Sequence, residues 1–468
     1  MLDYRKITSK GWGNFPKKEC HSYRPEKRSD ITSSINKISK NTSSTIIANG
    51  SSCSYGDAAV TDSNIINSLR LNKFLEFNGD KGTLKCEGGA TLEEIMNFSI
   101  PKGWILPIIP GTKLPTIAGA FACNIHGKNH YKEGDIVKYV SKIKLHLANN
   151  EIVECSPRTN KDLFWATAGG MGMTGFIEEV TLKLKPIESI SLKSTSKTVD
   201  NISEMVECFY TNREDSDYMI GWIDHSAEKN NLGKGVFEKA NHISTENGGM
   251  KLEEYKKAEQ KIAIPFYFPS WVLNKYSMKI YNILRFKKYS KTPRDEIIDF
   301  DSFFHPLDKI KNWNKLYGKN GFIQYQCIIP ENDDTINNIK TLLELIKDRN
   351  LFSYLAVIKY HSDNNYRNPT LSFTEKGFSI ALDFPNTNIV RDLINDLNDF
   401  MNSINGKAYL AKDALLTEEQ FKSMYNNKLD EWKNIVTKYD PNLIFESEMS
   451  KRLGFKNINA KKNNNKNI

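Results

Sequence analysis

Residues 121–130 of the 468-residue chain read FACNIHGKNH, where an apolar run ends in two histidines, two asparagines and a lysine. His126 and His130 have the H-x-x-x-H spacing that binds zinc when it lies on a helix. Gly127 and Asn129 disfavour a helix there, and no third ligand with fitting spacing is evident in the sequence, so we predict no metal site. From these residues alone, a catalytic base and an ordinary surface turn both stay open.

A glycine-rich stretch, GGMGMTG at residues 169–175, contains the G-x-G-x-x-G pattern of dinucleotide-binding proteins. That site requires a strand before the glycines and a helix after them. Here the preceding NKDLFWATA (160–168) has a helical pattern and the following FIEEVTLKLK alternates like a strand. The reversed order argues against a Rossmann site. Either this backbone approaches a flat ligand, or the glycines form a simple helix-to-strand turn.

Two further stretches of small residues occur in the first third of the chain, at 48–57 (ANGSSCSYGD) and 110–127 (PGTKLPTIAGAFACNIHG). The first follows a short β-branched run, and its backbone N–H groups could wrap a diphosphate. The second has small residues where bulky core residues would be expected, which suits packing against a planar ring system. Each stretch alone has a turn explanation, but the three together favour a large, flat cofactor.

The composition of the chain limits the classes of protein to which it could belong. The net charge is +9, hydrophobic residues make up 39%, and seven cysteines are scattered without a CxxC pair. This cysteine pattern predicts reduced thiols in the cytoplasm. We expect neither a signal peptide nor a membrane-spanning segment. No clustered basic stripe or known module indicates nucleic-acid binding, and the surplus charge better suits an anionic substrate or lipid.

Periodicity and turn signals predict the elements that position these stretches. Residues 83–104 are predicted to form a strand, a Gly-Gly turn and a helix opened by a capping box of Thr91 and Glu94. Helices are also predicted over residues 29–40 and 341–351. Strands are predicted over residues 45–50, 138–147, 178–186, 324–330, 353–360 and 378–385.

The character of the sequence changes along the chain. Glycine density falls and aromatic residues rise from about residue 190, and a mixed α/β pattern returns over 407–455. The tail from about residue 456 is low-complexity and is predicted to be disordered. Residues 264–291 mix aromatic, aliphatic and lysine side chains, which could form a lid over a lipid-linked substrate, rest on an anionic membrane, or be ordinary core with a basic edge.

Several motifs carry a family resemblance: SYGD (54–57), PGT (110–112), AGAFACNIHGKNH (118–130), DLFWATAGGMGMTG (162–175), the segment 303–330 with its QYQ, AYLAKD (408–413) and the segment 430–454. They resemble vanillyl-alcohol-oxidase type flavoproteins and, within that group, the decaprenylphosphoryl-β-D-ribose 2-oxidase family. The resemblance covers roughly residues 10–455. It implies an α+β, two-domain PCMH-type FAD-binding fold. A discontinuous FAD domain would take residues 1–190 and 407–468, and an antiparallel-sheet substrate domain residues 191–406.

The resemblance also implies the cofactor contacts. Residues matching family contacts to FAD are Asn49, Gly50, Ser51, Ser52, Cys53, Ser54, Tyr55, Gly56, Asp57, Gly111, Thr116, Ile117, Ala118, Gly119, Cys123, Asn124, Ile125, His126, Ile177 and Tyr409. The first loop has no histidine, so the FAD is expected to be non-covalent. The family's loop usually carries an arginine and more glycine. Asn124 replaces a usual aspartate, and Ala118 a usual glycine.

Oxidation of a secondary alcohol by a flavin needs a hydride acceptor, a group that takes the hydroxyl proton, and nearby positive charge. Lys412 matches the family's essential lysine, and His126 and Tyr55 are the other catalytic candidates. Residues matching positions around the substrate are Lys128, Tyr317, Gln324, Gln326, Lys359 and Ala381, the last standing where well-studied members carry a cysteine. The spacing of Gln324 and Gln326 puts both on one face of a strand.

The resemblance implies that the enzyme oxidises the 2-hydroxyl of a polyprenyl-phospho-ribose to a ketone, in the cytoplasm or at the inner face of the membrane. A separate NADH-dependent reductase would complete an epimerisation for arabinose of a cell-wall or surface glycan. Two alternatives stay open: an FAD-linked oxidase of a soluble sugar or aldonolactone, and a flavin-binding partner protein without turnover.

Overall fold

The structure is a computed structural model that describes residues 4–41, 43–225, 227, 231–255, 262–269, 272–363 and 367–455. Its strands, in chain order, are β1 (Arg5–Lys10), β2 (Lys17–Tyr23), β3 (Ile46–Asn49), β4 (Asn64–Asn67), β5 (Phe74–Asn78), β6 (Thr83–Glu87), β7 (Trp104–Ile105), β8 (Val140–His146), β9 (Ile152–Cys155), β10 (Phe176–Lys183), β11 (Lys185–Pro186), β12 (Ser191–Val199), β13 (Tyr218–Ile223), β14 (Gly235–His242), β15 (Ile262–Ala263), β16 (Arg294–Asp299), β17 (Ile310–Lys311), β18 (Phe322–Pro330), β19 (Ala356–His361), β20 (Gly377–Pro385) and β21 (Lys407–Ala408). Its helices are α1 (Arg28–Ser39), α2 (Leu92–Ser99), α3 (Ile117–Ala122), α4 (His130–Glu133), α5 (Lys161–Thr167), α6 (Ile202–Asn212), α7 (Lys275–Lys288), α8 (Phe300–Phe304), α9 (Thr335–Asp348), α10 (Asn388–Ser403), α11 (Glu418–Tyr439) and α12 (Glu448–Arg452).

Most elements predicted from periodicity are present. The predicted helices correspond to α1 and α9, and the predicted strands to β3, β8, β10, β18, β19 and β20. The capping box that opens α2 is confirmed, because the Thr91 hydroxyl accepts from the Glu94 N–H at 3.1 Å and the Glu94 carboxylate accepts from the Thr91 N–H at 2.8 Å. Helix α9 begins earlier than predicted, at Thr335, because that threonine and the residues after it continue the same turn pattern.

Three larger sheets organise the chain. The first has the strand order β1-β2-β4-β3, the second β5-β6-β10-β8-β9, and the third the eight-stranded order β16-β12-β14-β13-β19-β20-β18-β21. All strand pairs of the third sheet are antiparallel, as the resemblance implied for the middle of the chain. The whole is an α+β fold, as predicted.

The end of the chain returns to its beginning. The Ile46 N–H donates to the Ile444 carbonyl at 2.8 Å, and the Glu446 N–H donates back to the Ile46 carbonyl at 2.8 Å. The indole of Trp432, in α11, donates to the Ala166 carbonyl of α5 at 2.9 Å. These contacts are what a discontinuous first domain would require, but the division at residues 190 and 407 itself stays a prediction.

The glycine-rich stretch at 169–175 is the connection from α5 to β10, so the helix-before-strand order is confirmed. Gly169, Gly172 and Gly175 have φ angles of 71°, 83° and 146°, in the region that favours glycine. Two of the three, Gly172 and Gly175, also line the main cleft described below. The glycines therefore form a helix-to-strand turn, and two of them also form a part of the cleft wall that has no side chains.

No helix in the described ranges combines the length and apolar character needed to cross a bilayer. The low-complexity tail predicted to be disordered lies outside the described residues. Of the segment 264–291, the structure describes all but residues 270 and 271, including α7.

Candidate functional site

One large cleft separates the small-residue loops of the first third from the face of β18, β19 and β20. Its cavity volume is about 310 Å³, within about 1810 Å³ of empty space that includes open solvent. The predicted site residues that line it are Asn49, Gly50, Ser51, Ser52, Cys53, Ser54, Tyr55, Gly111, Thr116, Ala118, Gly119, Cys123, Ile125, His126, Ile177, Gln324, Gln326, Lys359, Ala381, Tyr409 and Lys412. The structure thus gathers candidates that are more than 350 residues apart in sequence, although their individual roles stay predictions.

The loop after β3 forms one wall with its backbone exposed to the cleft. The backbone N–H groups of residues 51 to 54 find no acceptor in the described part of the chain. The loop is held from behind, because the Trp12 N–H donates to the Ser54 carbonyl at 2.8 Å and the Tyr55 N–H donates to the Ala411 carbonyl at 3.0 Å. Consecutive backbone N–H groups without a protein acceptor are available to bind an anion.

The stretch around α3 forms the next part of this wall. Thr116 caps α3 by accepting from the Gly119 N–H at 3.2 Å. Asn124 follows α3 with a φ of 43°, and its amide donates to the Asp135 carboxylate at 3.0 Å. The departure from the family's usual aspartate therefore has a local reason, because asparagine tolerates a left-handed backbone and donates to a carboxylate that an aspartate would repel.

The opposite wall is the face of two paired strands. Gln324 lies opposite Asp383, and Gln326 opposite Ala381, across the β18–β20 pair. The Gln324 amide donates to the Asp383 carboxylate at 2.5 Å, so its carbonyl oxygen is left to accept from a ligand. Tyr317 also donates to this carboxylate, at 3.1 Å. Burial raises the pKa of Asp383 to about 6, against these donors and the charge of Lys412.

His126 is fixed in one tautomer. Its Nε2 lies 2.8 Å from Nε2 of Gln326, and because an amide nitrogen only donates, the histidine Nε2 accepts and the proton sits on Nδ1. That Nδ1 is buried and has no partner in the described part of the chain. Burial, with Lys359 and His130 nearby, holds the pKa of His126 well below its usual value. The imidazole is therefore neutral, with its protonated nitrogen buried.

Lys412 projects into the cleft beside Tyr55. Its ammonium lies 3.7 Å from the centroid of the Tyr55 ring, and it has no ion pair with any described carboxylate. Burial lowers the pKa of Lys412 to about 8, although Asp383 acts in the opposite direction. An amine with this pKa can hold or release a proton near neutral pH.

Lys359 gives the cleft a second unpaired lysine. Burial, together with the positive charges of Lys412 and Lys128, lowers its pKa to about 7. No described carboxylate forms an ion pair with it. Two cationic side chains that lack a protein counter-ion create positive potential in this half of the cleft, which suits an anionic ligand.

Six of the predicted site residues do not line the cleft: Gly56, Asp57, Ile117, Asn124, Lys128 and Tyr317. The buried Asp57 carboxylate accepts two hydrogen bonds from Arg452, at 2.9 and 2.7 Å, and so ties the loop to the end of the chain. Lys128 donates to the Phe303 carbonyl at 2.5 Å and lies 4.0 Å from that ring's centroid. As described above, Tyr317 and Asn124 donate to buried carboxylates instead of facing the cleft.

Two carboxylates near the cleft were missed by sequence reasoning. Asp383 stands two residues after Ala381 on the same strand, so the period of two already placed it on the same face. Asp308 lines the cleft mouth and accepts from the Thr112 hydroxyl at 3.1 Å and from the Lys113 N–H at 3.0 Å. This second contact joins residues nearly 200 positions apart, and no local signal predicts it.

The residues present fit FAD. The first wall of the cleft is rich in alanine, glycine, serine and cysteine, and the free N–H donors of residues 51 to 54 are available to a diphosphate. Within the described ranges, no group of three or more histidine, cysteine or acidic side chains is arranged to hold a metal.

Comparisons with known proteins agree with this geometry. The chain matches the family described as FAD binding domain over residues 22–156, and the D-arabinono-1,4-lactone oxidase family over residues 380–453. It is 30% identical to decaprenylphosphoryl-β-D-ribose oxidase of Mycolicibacterium smegmatis, over 87% of this chain and 89% of the relative. An uncharacterised protein of Streptomyces coelicolor is 22% identical, over 78% of this chain and 100% of the relative. D-arabinono-1,4-lactone oxidase of Candida glabrata is 23% identical, over 45% of this chain and 41% of the relative.

The cleft supplies the donors and small residues that FAD requires, and the similarity to the M. smegmatis oxidase extends over almost the full length of both chains. The chain therefore belongs to the decaprenylphosphoryl-β-D-ribose oxidase family and is an FAD-dependent oxidoreductase.

Proposed function

We propose that this enzyme oxidises the 2-hydroxyl of a polyprenyl-phospho-ribose to a ketone. The observation that carries the proposal is Lys412, an unpaired lysine with a pKa of about 8, held in the cleft beside the loops that fit FAD. The name of the M. smegmatis relative supports the substrate class. The two domains that the family resemblance implies, with boundaries near residues 190 and 407, belong to this proposal.

The neutral amine of Lys412 takes the proton of the substrate hydroxyl at Nζ as the C–H bond breaks. Bound FAD supplies the hydride acceptor. Gln324 lines the cleft with its amide nitrogen held by Asp383, and its carbonyl oxygen accepts from a second sugar hydroxyl. His126 lines the cleft, and its ring is held by the Gln326 amide, which donates to Nε2 at 2.8 Å.

Lys359 binds the phosphate of the substrate. It lies on the same wall as Gln326 and Ala381, with no protein counter-ion among the described residues, and a phosphate would restore its positive charge by raising its lowered pKa. Lys128 contributes only if it leaves the Phe303 carbonyl. Ala381 leaves the wall without a thiol at the position where other family members carry a cysteine.

FAD is bound without a covalent link, because no histidine occurs in the loop at 48–57 that holds the diphosphate. The enzyme works in the cytoplasm at the inner face of the membrane, where a lipid-linked substrate is available. A separate NADH-dependent reductase reduces the keto sugar to the arabinose form for a cell-wall or surface glycan.

A second candidate function is oxidation of a soluble sugar or aldonolactone. The match of residues 380–453 to the D-arabinono-1,4-lactone oxidase family favours it, because that range includes Ala381, Asp383 and Lys412. This candidate needs no lipid, and so no apolar surface near the cleft.

Anaerobic bleaching of the flavin absorbance separates the two candidates. Purified holoenzyme is mixed without oxygen with polyprenyl-phospho-ribose, free ribose or an aldonolactone. Bleaching by the lipid-linked sugar alone supports the main proposal. Bleaching by the free sugar or lactone, without any by the lipid-linked sugar, overturns it in favour of the second candidate.

A further inference from the structure

Helix α7 presents an apolar stripe to water. Tyr276, Ile280, Ile283 and Leu284 are 69%, 59%, 42% and 64% exposed. Their spacing of four, seven and eight residues from the first places them on one face of the helix. Isolated exposed apolar residues are normal, but a continuous stripe of four large ones on a single helix marks a contact surface.

The opposite face of α7 is already packed, so the stripe cannot turn inward. The Asn282 amide donates to the Asp224 carboxylate at 3.0 Å. The guanidinium of Arg285 lies 4.8 Å from the centroid of the Trp222 ring, and Met278 is buried. These contacts fix the rotation of the helix and leave the stripe facing away from the eight-stranded sheet.

The surroundings of the stripe are basic. Lys279, Lys287 and Lys288 are exposed on α7, and the sequence has no acidic residue between positions 272 and 293. Lys291, which follows the helix, is instead paired with Asp200 at 2.5 Å. Lysines flanking an apolar stripe are typical of helices that lie in the interface of an anionic bilayer, with the lysine stems along the apolar layer and their ammonium groups at the phosphates. Two such faces repel each other, which disfavours a second copy of this chain.

The stripe is connected to the cleft. The Tyr354 hydroxyl donates to the Leu273 carbonyl at 2.9 Å, just before α7 begins. The Tyr354 ring lies 5.2 Å from that of Tyr317, whose hydroxyl donates to Asp383 opposite Gln324. Side chains in direct contact thus join the start of α7 to the substrate wall.

We propose that the outward stripe of α7, with its flanking lysines, docks the enzyme on an anionic lipid bilayer and so holds the cleft at the membrane surface. This rests on the proposed function in one respect, since a lipid-linked substrate makes the docking useful. The bilayer binding itself requires no substrate and can be measured without turnover.

The test is flotation of FAD-loaded protein with vesicles of phosphatidylcholine containing about 30 mol% phosphatidylglycerol, and with vesicles of phosphatidylcholine alone. The wild-type protein is expected to float with the anionic vesicles and to be released by about 0.5 M salt, which screens the lysines. Ile280→Asp combined with Leu284→Asp is expected to weaken the partition about tenfold or more. Ile389→Asp, at a 57% exposed isoleucine on α10, is the matched control and should float like wild type.

Lys287→Ala with Lys288→Ala provides a second variant that leaves the apolar packing intact. It should lose most of the preference for anionic over neutral vesicles. Wild-type protein that does not float, or floating that both variants leave unchanged, would overturn the proposal. Loss of a dimer in the Ile280/Leu284 variant by sedimentation, with no vesicle binding by wild type, would instead assign the stripe to a second copy.

Bleaching of the same preparations keeps the two proposals separable. Flotation without bleaching by polyprenyl-phospho-ribose leaves the docking surface standing and rejects the proposed substrate. Bleaching by polyprenyl-phospho-ribose without flotation supports the proposed substrate and rejects the docking surface. In the Ile280/Leu284 variant, reduction by a short-chain, water-soluble phospho-ribose should equal that of wild type, because neither residue touches the cleft.

Discussion

The rate at which substrate bleaches the flavin should rise with pH through the pKa of Lys412, about 8. The neutral fraction of an amine with that pKa is about 9% at pH 7 and about 91% at pH 9, so the rate should increase about tenfold and then level off. A lysine with the ordinary pKa of about 10.5 would give a roughly hundredfold increase over the same range, without levelling. The position of the plateau therefore reports the burial of Lys412.

Asp383→Asn should shift the pH profile of flavin bleaching to lower pH. The carboxylate of Asp383 raises the pKa of Lys412 against the larger effect of burial, so removing its charge should move the midpoint below that of wild type. The wild-type carboxylate is ionised above its own pKa of about 6, so it acts throughout the range in which Lys412 titrates. Lys412→Arg keeps the positive charge but cannot give up its proton, and should lower the rate by about 10² to 10⁴ while FAD stays bound.

The assay is anaerobic stopped-flow absorbance between about pH 6.5 and 9.5, the range that brackets the expected midpoint. Lys407→Arg is the matched control, because this lysine lies five residues earlier, pairs with Glu375 at 2.9 Å and does not line the cleft. A Lys412→Arg variant that keeps the wild-type rate and pH profile would refute proton transfer to Lys412. In that case positive charge alone would suffice, and Lys412 would orient the hydroxyl without taking its proton.

Three further predictions concern stability and cofactor binding. Lys359→Met should raise the free energy of unfolding at pH 7 by on the order of 2 kcal/mol, because burial of the lysine disfavours its charged form. This increase in the free energy of unfolding should reach its full size below pH 7. It should vanish as the pH rises toward about 10.5, where the wild-type lysine loses its charge in both the folded and the unfolded state. Arg452→Met should lower the free energy of unfolding by about 3 to 5 kcal/mol and weaken FAD binding, because it leaves two buried carboxylates unpaired. Gly56→Ala should prevent stable folding, because its Cβ would lie 1.7 Å from the Asp413 carbonyl oxygen, whereas Gly111→Ala should be tolerated, since nothing lies within 4 Å of its Cβ.

Urea unfolding followed by tryptophan fluorescence checks the stability changes, and titration with FAD checks the affinity. A stability gain in Lys359→Met that is unchanged at high pH would show that its charge is not the cause. Arg452→Met with wild-type stability would mean that the two carboxylates are relieved in another way. Equal stability of the two glycine variants would contradict the steric account of Gly56.

The local elements of this fold were predictable because their signals are local. The capping box at Thr91, the alternation of β18 and β20, and the reversed order around the glycines at 169–175 each depend on a few neighbouring residues. The start of α9 was missed by six residues, because the polar residues of TINNIK mask the buried positions Thr335 and Ile339 that continue its apolar face.

The cleft was predictable only in part. The composition of the small-residue loops predicted a large ligand. It did not predict which side chains of the loops face that ligand. Asp57 follows Tyr55 in the same motif and yet turns away, because Arg452, 395 residues later, binds its carboxylate. Lys128 likewise turns to the Phe303 carbonyl, 175 residues away. Contacts over such sequence distances are decided by how the sheets pack, and no pattern within one segment encodes them.

The unpaired lysines of the cleft lower the stability of the folded state, so their presence requires an explanation. Burying an ammonium without a counter-ion destabilises the folded state, and the chain has 56 acidic residues with which to avoid it. Two other cations of the protein are paired: Lys113 lies 3.0 Å from Asp301, and Arg452 binds two carboxylates. Lys433, 8% exposed, has no ion pair within the described ranges, so an unpaired lysine is not confined to the cleft. What sets Lys359 and Lys412 apart is their place in the cleft, where a ligand that brings negative charge, or a reaction that uses a neutral amine, offsets the cost. A phospho-sugar alcohol meets both conditions at once, whereas a neutral lactone or sugar leaves Lys359 without a function.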